Sequence, residues 1–102
     1  MKIDMNPNEM VIRAGDCSYL SNGNTINGKL ILTNQRICFK SEMNGSVPAE
    51  IEILPEEILD VMLYNNRLLF SNGLKIVTKN GIENKFLIMN RRRWSEWIAR
   101  MC

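Results

Sequence analysis

The sequence predicts a mainly β domain of about seven antiparallel strands capped by one C-terminal α-helix. Three observations carry that prediction. Apolar and polar residues alternate with period two in short runs between Met10 and Met89. Turn-forming residues interrupt those runs at intervals of roughly ten positions, the rhythm of a barrel or a sandwich. After Asn90 the apolar spacing changes to that of a helix.

Each element follows in order. Residues 10–20 read as one long strand, and the Gly15-Asp16 step within it predicts a bulge or kink. The stretch "NGKLILTNQRICFKS", residues 27–41, reads as two strands. Leu30 and Leu32 alternate with Lys29, Ile31 and Thr33, and Ile37 and Phe39 alternate with Arg36, Cys38 and Lys40. Asn34 and Gln35 form the turn, with Asn tolerating the left-handed backbone of a two-residue hairpin loop. Residues 49–54 alternate and stop at Pro55, which has no amide to give a sheet ladder. Residues 58–64 make a further strand, and residues 68–70 lie between the turn-rich stretches at 65–66 and 71–73. Asn80-Gly81 is the strongest turn signal and joins residues 74–79 to 82–89, where Phe86 and Ile88 share a face. Trp94, Trp97, Ile98 and Met101 then fall at i, i+3, i+4 and i+7 behind Asn90, which suits an N-cap. Two indoles on one stripe predict a helix that plugs the core, and a helix this short needs such docking to persist.

A chain of 102 residues builds one core, so residues 1–102 are expected to form a single domain, with 1–9 as lead-in and 90–102 as the capping helix. The net charge of +2 offers no domain-wide basic field, which argues against nucleic acid as a partner. The first ten residues lack the apolar centre of a signal peptide, and no apolar run approaches the ~20 residues of a membrane span. Three cysteines without CxxC spacing fit free thiols in a reducing cytoplasm.

Histidine is absent, which removes the usual base beside a Ser or Cys nucleophile and the commonest zinc ligand. Cys17 and Cys38 sit in strand-like runs and read as small buried hydrophobes. Glu50 with Glu52, and Glu56 and Glu57 with Asp60, read as surface carboxylates. No nucleophile, metal set or phosphate loop is present, so the expectation is a protein with no catalytic residues, no cofactor and no metal.

The hairpin "GKLILTNQRICFKS" (residues 28–41) resembles the signature hairpin of GRAM-type domains, members of the pleckstrin-homology superfold. "IEILPEEILDV" (51–61), "GLKIVTKNG" (73–81) and "FLIMNRRRWSEWI" (86–98) are similar, in the same order, to the family's strand junction, penultimate hairpin, and closing strand and helix. The resemblance implies a pleckstrin-homology-like barrel of about seven antiparallel strands capped by the helix, and a binding module for proteins or for lipids with phosphorylated headgroups. It places the binding end at residues 21–28, 42–49 and 79–82, bordered by Lys29, Lys40 and Lys79.

Those three lysines, with Arg91, Arg92 and Arg93, are the anion- or lipid-binding candidates. The first loop carries no charge, and the dense Lys-x-Arg-x-Arg cluster of strong phosphoinositide binders is missing. The leading expectation is therefore a cytoplasmic module that binds a protein partner or forms a homo-oligomer, with residues 65–70 or an exposed edge as contact. Weak peripheral binding to anionic or phosphoinositide-containing membranes is the alternative. The arginine stems are expected to cover the tryptophan edges. Arg36 is expected to brace the hairpin or pair with Glu56 or Glu57.

Overall fold

The computed structural model describes residues 5–21, 24–41, 50–64 and 73–101. Seven strands form one sheet: β1 (Val11–Ser21), β2 (Asn24–Thr33), β3 (Ile37–Ser41), β4 (Glu50–Ile53), β5 (Ile58–Tyr64), β6 (Gly73–Thr78) and β7 (Glu83–Ile88). Helix α1 (Arg91–Met101) follows. The strand order is β4-β3-β2-β1-β7-β6-β5, with every neighbouring pair antiparallel. Residues 68–70 and Cys102 lie outside the described residues.

The expected closed barrel is an open sheet. Consecutive strands β4 and β5 end up at opposite edges, because Leu54 and a 3-10 turn at Pro55–Glu57 lead the chain away with no ladder between them. The Leu54 amide donates to Glu57 Oε1 at 2.8 Å and the Glu57 amide returns to the Leu54 carbonyl at 2.9 Å, so two carboxylates read as plain surface include one with a capping role.

Alternation places Leu30, Leu32, Ile37, Phe39, Leu74, Ile76, Phe86 and Ile88 in one core, as the period-two runs require. Tyr19, Phe39 and Phe86 pack ring to ring at 5.4–6.0 Å between centroids. α1 lies against β5 and β6 and drives Trp94 and Ile98 into this core. Trp97 is half-buried at the margin, so only one of the two indoles is a plug.

Two local expectations are corrected. The irregularity in β1 falls between Val11 and Arg13, while the register runs unbroken through Gly15 and Asp16. Gly15 is there for space: a Cβ would sit 3.2 Å from the Trp94 ring. Among the described residues only Asn8 and Asn90 are non-glycine residues with positive φ, so Asn34 does not take the left-handed conformation. Instead the Thr33 hydroxyl accepts the amides of Gln35 and Arg36, each at 3.0 Å, and closes the turn. At Asn80-Gly81 the turn spans three residues, with Gly81 at φ 89 and its amide donating to the Thr78 carbonyl at 2.9 Å. Asn90 precedes the helix at φ 60 and receives the Trp94 amide on its backbone carbonyl.

Candidate functional site

The lysines of the expected binding end are ordered by strand register. Lys29 on β2 stands opposite Lys40 on β3, both on the face away from Leu30 and Phe39. Lys29 is also opposite Asp16 on β1, with Nζ to Oδ1 at 3.5 Å, and Lys40 is opposite Glu50 on β4. Asp16, Lys29, Lys40 and Glu50 thus form one row across four strands, two ammonium groups flanked by two carboxylates. The row carries no net charge.

Lys79 lies elsewhere. Its amide donates to the Glu57 carbonyl at 2.8 Å, and it lines a shallow hollow with Pro55, Glu56, Ile58 and Met101. Leu20 on β1 is opposite Lys85 on β7, so the 79–82 turn sits beyond the Ser21 end of β1, whereas Lys29 sits back at Asp16. Five to seven strand residues, roughly 20 Å, separate the two positions along the sheet. The structure therefore brings Lys29 and Lys40 together and leaves Lys79 apart.

The arginines are at the start of α1. The Arg91 guanidinium donates to the carbonyls of Tyr64 and Gly73, tying the helix to the far ends of β5 and β6. Arg92 and Arg93 are exposed beside an open cleft of about 440 Å³. Arg13 of β1 lies over one indole, with its guanidinium carbon 4.7 Å from the Trp97 ring centre.

Arg36 does not meet Glu56 or Glu57. It forks onto Glu9, Nε to Oε2 at 2.8 Å and Nη2 to Oε1 at 2.9 Å, and also reaches Glu52. The Thr33 hydroxyl donates to the same Glu9 carboxylate at 2.6 Å. The Glu9 side chain is 0% exposed and that of Arg36 is 11% exposed. The Arg36 hydrogen bonds, opposed in part by burial, hold the Glu9 carboxyl down at about 2, and the same contacts raise the Arg36 pKa. Asn34 completes the tie, accepting the Met10 amide at 2.8 Å and donating to the Asn8 carbonyl at 3.0 Å. This cluster fastens the lead-in to the β2–β3 turn and is structural.

Burial, with a smaller push from Asp16, raises the Cys17 thiol to about 12, and burial also raises Cys38, so neither thiol is an activated nucleophile. Among the described residues no group of three Cys, Asp or Glu side chains is placed to hold a metal. No helix among them is long and apolar enough to cross a membrane.

Sequence reasoning missed the surface of β5. Leu59, Met62 and Leu63 are exposed at 65%, 43% and 39% on a strand that, among the described residues, pairs with β6 alone. The signal was present: residues 58–64 interrupt alternation with apolar residues on both faces, which is unusual for a strand at an edge.

Known structures share this architecture. The C-terminal domain of an unknown protein from Leishmania infantum superimposes with a TM-score of 0.79 at 18% identity, covering 93% of this chain and 86% of that one. The Vps36 N-terminal PH domain gives 0.73 at 14% identity, covering 95% and 81%. The Slm1-PH domain, solved in complex with inositol-4-phosphate, gives 0.62 at 15% identity, covering 89% and 92%. At such identities the likeness shows the fold, which is pleckstrin-homology-like. No curated protein matches the sequence. The GRAM domain model matches residues 1–96, nearly the whole length of the strands and helix just described, and the chain belongs to the GRAM domain family.

Proposed function

We propose that this domain is a non-enzymatic binding module whose partner is a protein, either a different chain or another copy of itself. One observation carries the reading: the lysines that would face a phosphorylated headgroup stand in register with Asp16 and Glu50, Lys29 being paired with Asp16, and Lys79 lies at another level of the sheet, beyond the Ser21 end of β1. A headgroup needs converging cations, and this row supplies none in excess. Among the described residues the sheet ends in two lateral strands, β4 and β5, each paired on one side. The buried thiols of Cys17 and Cys38 fit action in the reducing cytoplasm.

A second reading, weak peripheral binding to anionic membranes, is favoured by the exposed Arg92 and Arg93 beside their cleft. The inositol-4-phosphate bound by the Slm1-PH domain belongs to the same reading. Vesicle flotation at low and physiological salt separates the two. Protein binding predicts no flotation with phosphoinositide vesicles at physiological salt. Salt-resistant flotation that depends on the headgroup overturns it, and flotation unchanged by Arg92→Ala with Arg93→Ala removes the arginines as the membrane contact.

A further inference from the structure

Free strand edges in soluble proteins are blunted by shortness, charge or proline. β4 has four residues, two of them carboxylates, and Pro55 follows shortly after. β5 has seven residues with one charge, Asp60, and carries the exposed Leu59, Met62 and Leu63.

We propose that β5 is the seam of a homodimer in which two copies pair β5 to β5, antiparallel, about a two-fold axis at Met62. This rests on the protein-binding reading and names the partner as a second copy of the chain. β5 keeps regular register with β6 from Asp60 to Tyr64, the irregularity lying between Ile58 and Asp60. The Val61 amide donates to Asp60 Oδ1 at 2.8 Å and the Tyr64 carbonyl accepts from Arg91, so a pairing strand would take over the Val61 amide from a neighbouring side chain. Residues opposed across an antiparallel pair share a face. With Met62 on the axis, Met62 meets Met62 of the second copy, Val61 meets its Leu63, and Asp60 meets its Tyr64. No like charges are opposed and the apolar side chains cover one another.

Charge selects a second copy over an unrelated strand. Exposed Glu56 and Glu57 precede the Ile58 end of β5, and with Lys79 beside them this end keeps one negative charge in excess. The Tyr64 end lies beside the start of α1, where Arg91 holds the Tyr64 carbonyl and Arg92 and Arg93 are exposed. Antiparallel pairing sets the acidic end of each copy beside the basic end of the other, twice per dimer.

Sedimentation velocity of the full chain over a wide concentration range tests this. A reversible dimer that weakens with salt is expected. Met62→Lys opposes two ammonium groups on the axis and should weaken the dimer about tenfold or more. Met62 is 43% exposed, so its unfolding curve should match that of the unaltered chain, which separates loss of pairing from misfolding.

Register is read by cross-linking in a Cys102→Ser background with added oxidant. Met62→Cys should link to itself, since directly opposed Cα atoms lie ~4.5–5.5 Å apart, within disulfide reach, whereas Asp60→Cys should not. A strict monomer, or equal cross-linking at both positions, overturns the seam. A dimer indifferent to Met62→Lys overturns the seam and leaves the protein-binding reading standing. A monomer that floats with anionic vesicles removes both.

Discussion

β4 and β5 end the same sheet and are guarded in different ways. β4 is short and acidic, and its Glu52 is held by Arg36, which also grips Glu9, so this edge belongs to a polar clamp. β5 is longer, almost uncharged and apolar, and its half of the sheet is held from within by Trp94 and Ile98 of α1. The contrast separates two uses of an edge. Carboxylates on β4 refuse a neighbouring strand, while β5 keeps side chains that gain by meeting one.

The largest expected effect lies under β5. Trp94→Ala removes a side chain that is 5% exposed from the contact between α1 and the sheet, and should cost about 3–5 kcal/mol in urea unfolding. A loss under 1 kcal/mol would mean that β5 and β6 stand without the helix.

The clamp on the β4 side comes next, and it is unequal. Glu9→Ala takes the fully shielded partner from Arg36 and should cost about 3 kcal/mol. Glu52→Ala, at a side chain 50% exposed, should cost about 1 kcal/mol or less. Acid probes the same clamp. The Glu9 pKa is lowered from 4.5 to about 2 in the fold, so its contribution is complete above about 4.5 and is lost as pH falls toward about 2. Melting temperature should therefore fall across that window, and fall less in Glu9→Gln.

The smallest effect should be Leu63→Ser on the open edge, within about 0.5 kcal/mol in thermal unfolding, because that side chain already meets water. A marked loss would show that this side chain serves the fold and is not held in reserve for a partner.

Much of the architecture was legible because it is local. Period-two runs placed the strands, and the spacing of Trp94, Ile98 and Met101 placed the helix. What could not be read depends on register. Lys29 and Lys40 were expected to join Lys79, yet pairing with Asp16 and Glu50 fixes them at another level of the sheet. Glu9 and Arg36 are 27 positions apart, and no local pattern names such a partner. Closure of the barrel was equally hidden, because alternation reports which face is buried and is silent on which strands meet at the ends. Gly15 misled for a related reason: its need for space comes from an indole in the last helix.

The separation between Glu9 and Arg36 also orders events in time. The carboxylate has no cradle until Thr33 and Arg36 are fixed by the β2–β3 turn, so the lead-in is expected to dock after the folding barrier has been crossed. Stopped-flow chevrons of Glu9→Ala should show faster unfolding with the refolding limb nearly unmoved, and a slowed refolding limb would place that contact inside the nucleus. The clamp then acts as a brake on opening: it lengthens the lifetime of the native state without hastening its arrival.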